Sequence, residues 1–423
     1  MANPTDGIRS INVVLEYTDP GGVIQSIDIN KQGLVDLTFN RFLGSLKNAK
    51  SGVLTNVDMT MFDSTGYKLL TMFQASGGRL RFRYGFEDDL SETYTVTIVK
   101  FKSTHNNMGA MSSIGSIAKE SYASFGPEIY RADTLVETIL IRMAKRNNWY
   151  IGDEPTNTSN GRLYYRDHIN VGDLKLPWPL YLEPGESDTD FIYNKLLPLC
   201  QRTVVSASDV EQDFWDVTLF SDPNLRTEFY FRKFGDRELH RRVWSYEYGM
   251  SIDSGVLSLT NTIDYTFLIN GLSIKHGADP AEYMAATDAQ LAEDYTKIIV
   301  DNWTEKIKPM FEAIHLPAPD ADQFALKLTI VPMEEATDES LEVRLFNELR
   351  QAIMAINTVE LQVIGNWKIK PIDIIDLQVR DREGHYNIVS GLWKVVKISE
   401  NIGKGGYVTN LSLVRETSTI TFE

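Results

Sequence analysis

Six histidines are the first place to look for chemistry: His105, His168, His240, His276, His315 and His385. None forms HExxH or an H-x(3–5)-H pair, so the spacing that puts two imidazoles on one zinc ion is missing. They read as lone surface or turn residues. The single cysteine, Cys200, excludes an intrachain disulfide and a cysteine-built zinc or iron–sulfur site, and it reads as a small buried hydrophobe. No G-x-S-x-G elbow, G-x-x-x-x-G-K-[ST] loop or G-x-G-x-x-G fingerprint occurs. Gly403-Lys404-Gly405-Gly406 is glycine-rich but lies between two expected strands. A phosphate cradle needs a helix N-terminus there, so a hairpin turn is the reading. Carboxylates cluster at Glu87-Asp88-Asp89, Glu186 to Asp190 and Glu334-Glu335. Glycoside hydrolysis needs two carboxylates opposed across a bond, one with a raised pKa. The first cluster reads instead as a solvated turn and the second as a helix start. The calcium-loop spacing D-x-[DN]-x-[DN]-G is missing. No catalytic residue, metal ligand or cofactor site is expected.

The elements that surround these residues are mostly strands. In the first hundred residues Ile11 to Glu16, Val23 to Ile29 and Val53 to Phe62 are rich in β-branched side chains. Asp19-Pro20-Gly21-Gly22, Ser64-Thr65-Gly66 and Ser76-Gly77-Gly78 punctuate the region as turns. Leu80, Phe82 and Tyr84 alternate with Arg79, Arg81 and Arg83, a half-buried strand with a basic outer face; Tyr94 to Phe101 alternates again. His105 to Ser116 is small and polar and reads as a linker. Thr134 and Glu137 have capping-box spacing ahead of a helical stripe of Val136, Ile139, Leu140 and Met143. A second helix starts at Ser187, with Asp188 and Asp190 at its positive end, and Pro198 should kink or end it. Phe214 to Phe220, Val256 to Leu259, Tyr265 to Ile269 and Leu326 to Val331 read as strands. Leu291, Tyr295, Ile298, Ile299, Trp303 and Ile307 form one helical stripe, which Pro309 should end or kink. Leu341, Leu345, Phe346, Leu349, Ala352 and Ile353 form another. The last 65 or so residues return to strands, near 359–363, Ile374–Val379, Ile388–Ile398 and Tyr407–Val414.

Composition sets the outer bounds. The 423 residues suggest about two to four domains. At 43% hydrophobic and 24% charged they have globular composition. A formal net charge of −16 repels phosphate backbones, which argues against specific DNA binding but not against DNA sliding past. The N-terminus lacks the apolar stretch of a signal peptide, and no run approaches the ~20 apolar residues of a membrane span, so a soluble chain made in a cytoplasm without membrane insertion is expected. The three N-x-[ST] sequons at Asn157, Asn302 and Asn410 then read as chance matches.

Two stretches carry a resemblance. Leu182-Glu183-Pro184-Gly185-Glu186-Ser187-Asp188-Thr189-Asp190-Phe191-Ile192 resembles the E-S-D-x-x-F-L segment of the tail hub proteins of contractile-tailed phages and related injection machines, the late control protein D type. Ala132 to Trp149 is similar to that family's upstream helix. Val363 to Ile375 is similar to its G-x-P-x-l-x-P-G-D-x-i hairpin, with Trp367 in place of the first proline and Ile372 in place of the glycine. Gly391-Leu392-Trp393-Lys394-Val395 and Gly406-Tyr407-Val408-Thr409-Asn410-Leu411-Ser412-Leu413 look like its closing strands.

The resemblance implies a β-rich α+β chain. Two tube-like β-barrel domains, 1–105 and 241–423, flank an inserted mixed α/β middle domain, 106–240, and a helical insertion lies near 279–316. It implies a homotrimer, a pseudo-six-fold ring that joins a six-fold tail tube to a three-fold spike in the baseplate of a virion assembled in the host cytoplasm. The implied partners are the tail tube or tube-initiator protein, the central spike protein, baseplate wedge proteins, and a tape measure protein or DNA passing through the bore. A hub that also carries cell-wall hydrolase or sugar-binding activity is the alternative.

Overall fold

Alternating apolar and polar residues of the N-terminal part form β1 (Ile11–Thr18), β2 (Ile24–Asp28), β3 (Leu34–Phe42), β4 (Thr55–Asp63), β5 (Arg79–Phe86), the two-residue β6 (Asp89–Leu90), β7 (Tyr94–Asn106) and β8 (Gly109–Ile117). The computed structural model describes these and the elements below with adjoining residues, within 11–117, 128–276, 295–333 and 353–415. Val13, Leu15, Phe82 and Tyr84 point inward from β1 and β5, while Arg81 and Arg83 reach Glu16 on the outer face at 3.6 and 3.4 Å. The stretch read as a linker, His105 to Ser116, is instead the β7–β8 hairpin, and this sheet runs on to Ile117. Strand propensity is weak beside context, and β8 is paired on both sides by β4 and β7, so composition misled there. The turns read at residues 19–22, 64–66 and 76–78 fall outside the described residues.

The middle part holds β9 (Glu128–Tyr130), α1 (Val136–Asn147), β10 (Trp149–Tyr150), β11 (Thr156–Asn157), β12 (Leu163–Tyr164) and β13 (Leu180–Leu182). Then α2 (Asp188–Phe191) continues through a π-helical segment, Ile192–Leu196, into α3 (Leu197–Cys200). β14 (Arg202–Val205), β15 (Val210–Asp213), β16 (Trp215–Ser221) and β17 (Thr227–Lys233) follow. Pro198 does not end the helix. It is accommodated directly after a π-helical turn, a common way for a helix to absorb a local irregularity. The capping box expected at Thr134 is not formed: Leu135 is the N-cap and makes no side-chain cap bond. The Val136 N–H donates to the Leu174 carbonyl instead, and Leu135 bridges to Lys175, so a neighbouring extended segment satisfies the helix start. Phe191, Ile192, Leu196 and Cys200 are buried with Ile139, Leu140 and Met143 in the core of this part.

The C-terminal part holds β18 (Val243–Tyr248), β19 (Val256–Ile263), β20 (Gly271–His276), β21 (Tyr295–Ile299), β22 (Leu328–Met333), β23 (Asn357–Ile364), β24 (Ile374–Val379), β25 (Gly391–Gly403) and β26 (Gly406–Arg415). Two expectations fail here. Within the helical insertion near 279–316, Tyr295, Ile298 and Ile299 belong to β21, which pairs antiparallel with β20 in a three-stranded sheet with β22. A run ending in two β-branched residues finds a ladder partner, and pairing overrides an apparent 3.6-residue stripe. Tyr265 to Phe267 is a 3-10 turn rather than a strand, capped by the Asp264 carboxylate, which accepts from the Thr266 N–H at 2.9 Å. The stripe beginning at Leu341 lies outside the described residues except at its end, where Ile353 is helical and buried.

Both ends of the chain contribute to one 14-stranded sheet. Its path contains the order β1-β5-β7-β8-β4-β3 and, in the C-terminal half, β18-β24-β25-β26-β23-β19. In chain order these are the same arrangement of six strands. The irregularities repeat too. β7 and β25 are both 13 residues long and both carry a one-residue bulge in their pairing with the next strand, at Val99 and Val396. Each closes a hairpin through two intervening residues, Asn106 opposite Gly109 and Gly403 opposite Gly406. A second bulge recurs at Val35 in β3 and at Leu257 in β19. The halves differ at one edge: β1 runs antiparallel to β5 and carries β2, whereas β18 runs parallel to β24.

Candidate functional site: the joint between the two strand units

β25 is long enough to serve two partners. Its first residues, Gly391 to Leu392 and on to Lys394, pair with β24; past the bulge, Lys397 to Gly403 pair with β3 of the other unit, from Lys397 opposite Phe42 to Gly403 opposite Asp36. The joint is therefore a continuous ladder between the two ends of the chain. Its inward column carries opposite charges. Leu37, Phe39 and Arg41 share one face of β3, and Ile398, Glu400 and Ile402 share one face of β25. Arg41 Nη2 lies 2.7 Å from Glu400 Oε1, with the two side chains 3% and 0% exposed. The Thr409 hydroxyl donates to the other carboxylate oxygen at 2.7 Å. Burial pushes the Glu400 carboxyl up, and Arg41 and the Thr409 hydroxyl oppose that rise. Tyr84, Tyr94 and Tyr407 enclose the pair, and burial raises all three phenols.

The family-like hairpin closes the joint from the second unit. Trp367, which stands in place of the proline, donates from its indole to the Asp89 carbonyl at 3.0 Å, and Lys368 Nζ meets the Asp89 carboxylate at 2.8 Å. Both contacts cross from one unit to the other. Gly365 is demanded by close approach: a Cβ there would fall 2.1 Å from the Tyr407 ring. Gly391 opens β25 at φ 129°, where a Cβ would meet Arg415 Nη2 at 2.7 Å. Ile372 lies outside the described residues.

The other motif proves to be a packing device. Ser187 caps α2, its hydroxyl accepting from the Asp190 N–H at 3.0 Å. Asp188 is fully buried; Arg146 of α1 forks onto both of its oxygens through Nε and Nη2, and the Asn147 amide joins them. Arg146 also holds Glu128, which accepts from the Tyr130 hydroxyl at 2.7 Å. Phe191 follows into the core. Ser187→Ala is expected to cost about 1 kcal/mol through the lost cap. Leu196→Ala, in the same core, should cost about 2–5 kcal/mol, read by urea unfolding. An unchanged midpoint for Leu196→Ala would place the wrong face inward.

Glu128 supplies a pH test. Burial opposes its charge, but the Tyr130 hydroxyl, Arg146 and Arg142 hold its carboxyl below the ordinary 4.5. A depressed folded pKa gives stability that is present above 4.5 and is lost as pH falls through the lower folded value. Melting temperature should therefore drop on acidification below pH 4.5, and by less in Glu128→Gln. An identical acid profile for the two proteins would remove Glu128 from that role.

The remaining candidates of the sequence reading serve as structural partners where they are described. Glu186 meets Lys195 at 3.0 Å, and Asp190 accepts from the Ser187 hydroxyl at 2.6 Å. Glu334-Glu335 lies outside the described residues, as do His240 and His315. His385 is an exposed turn residue, as expected; His168 is not, being buried and stacked on Tyr230 at 4.3 Å. Cys200 is buried, its thiol 3.2 Å from the Leu196 carbonyl. Gly403 to Gly406 forms the hairpin turn expected of it. Among the described residues no helix is long and apolar enough to cross a membrane. Strand β3 and the pair Arg41–Glu400 escaped the sequence reading. The signal for them was present: a lone charge in an otherwise apolar inward column, once with each sign.

No family model and no curated protein matches the chain by sequence. Solved structures do match by shape. The 43 kDa tail protein of prophage MuSo2 from Shewanella oneidensis superposes with a TM-score of 0.53 at 13% identity, over 97% of this chain and 99% of that one. A tail protein from Neisseria meningitidis MC58 gives 0.54 at 8% identity, over 96% and 98%. Likeness over nearly the full length of both, with the repeated strand order and the joint described above, gives this chain the fold of phage tail proteins.

Proposed function

We propose that the protein is the structural baseplate hub of a phage tail or a related injection machine. Three copies form a ring that adapts a six-fold tail tube to a three-fold central spike. The doubled strand unit carries this reading. Two units of the same strand order in one chain give six similar docking positions from three copies, and a closed ring avoids open-ended polymerisation. The likeness to tail proteins over nearly the whole chain supports the same assignment. In this reading the two units are tube-like barrel domains and residues between them form a middle domain. Tube and spike proteins are the partners, the tape measure protein or DNA traverses the bore, and no substrate is turned over. With a net charge of −16, a bore lined by acidic or neutral side chains would let DNA slide without binding. The test is electron cryomicroscopy of the assembled particle. Three copies around the axis are expected; six copies, or a bore ringed by Lys and Arg, would overturn the reading.

A further inference from the structure

The intramolecular joint has a counterpart edge on each side of the chain. β25 uses its second half to pair with β3. By the strand correspondence the matching half of β7 is Lys100–Asn106, and the strand matching β3 is β19. β5 accompanies β7 only over Tyr94–Thr97, and the sheet order places no described strand beside Lys100–Asn106 on that side. β19 ends the sheet path. It is an edge strand that leaves Leu257 50% and Ile263 43% exposed, an arrangement that invites another chain. We infer that β7 of one copy pairs antiparallel with β19 of a second copy, repeating between subunits the joint that β25 and β3 make within one. The inference rests on the three-copy ring proposed above and names the surfaces that close it.

The correspondence sets the register. Two bulges and two hairpins fix which residues match, so Lys397 opposite Phe42 becomes Lys100 opposite Asp264, and Asn401 opposite Thr38 becomes Thr104 opposite Thr260. Within the chain the Thr38 hydroxyl donates to Asn401 at 3.1 Å; between chains two threonine hydroxyls would stand in that place. Charge fits as well. Lys100 and Lys102 are exposed on the β7 half, which carries no acid, and β19 carries no base and is followed by Asp264. A head-to-tail contact of this kind closes when its rotation divides a circle, and in the three-copy ring proposed above internal and external joints would alternate around it.

The test places cysteines at Thr104 and Thr260 of the full chain, both exposed threonines, and oxidises particles assembled from it. Opposed positions on neighbouring antiparallel strands hold their Cβ atoms about 4.5–5.5 Å apart, close enough to bridge. Cross-linked species should stop at three chains on a non-reducing gel, and Thr104→Cys paired with Ser258→Cys, two residues out of register, should cross-link at least tenfold less. If Thr104→Cys with Thr260→Cys blocks assembly, Lys102→Cys with Thr262→Cys tests the same register. Monomer bands alone from particles that hold three copies would overturn this interface and leave the ring standing. A ladder continuing past three chains would overturn closure, and a copy number other than three would remove the hub reading itself.

Discussion

Arg41→Ala should destabilise the protein by about 3–5 kcal/mol, because it strands a carboxylate in a dry interior. Glu400 is fully buried and Arg41 is its cationic partner across the joint. Desolvating two ions is costly, and their attraction, with the Thr409 and Tyr407 hydroxyls, offsets it. Glu400→Ala strands the guanidinium in turn. The double variant Arg41→Ala/Glu400→Ala should cost clearly less than the two singles together, a coupling of about 0.5–3 kcal/mol for residues in direct contact. The location matters as much as the size. Arg41 lies on β3 and Glu400 on β25, so the loss falls on the ladder that ties one strand unit to the other. Amides of β3 should then exchange faster than those of β23, which sits away from the joint. Additive single effects, or equal exchange in the two strands, would show that the pair does not hold the units together.

Asp188→Ala is the second large effect, at about 3 kcal/mol, the lower end of the range for breaking a buried pair. Arg146 keeps Glu128 as a partner, which moderates the loss. Arg146→Ala should cost more than that, since it abandons the buried Asp188 and releases Glu128 together. Near-ultraviolet circular dichroism and urea unfolding would read both. Asp188→Ala melting with the parent protein would mean that the E-S-D pattern is not held by this network.

How much of this was legible beforehand depends on the range of the interaction. Alternation within single strands placed β1, β4, β5, β23, β24 and β26 close to where they lie, because the side-chain period of a strand is a local property. The helix at Ser187 was legible for the same reason: a cap and its first turn are neighbours in sequence. The function-bearing resemblance also rested on short local segments. What alternation could not show was partnership. Arg41 and Glu400 are separated by 359 positions, and nothing near either one announces the other. Whether Tyr295 to Ile299 curls or extends was decided by β20, which offers a ladder, and not by the spacing of its own apolar residues. Likewise the small polar residues of 109–117 became a strand because β4 and β7 flank them. The repeat of the strand units is invisible in the amino acids because hydrogen bonds between backbones define it. Backbone groups are the same in every residue, so two units can share strand order and bulges while sharing few side chains. The sequence by itself determined the strands that alternate, the cap at Ser187 and the overall charge; the tertiary structure decided which remaining segments extend, which edges are paired and which are left to face a partner.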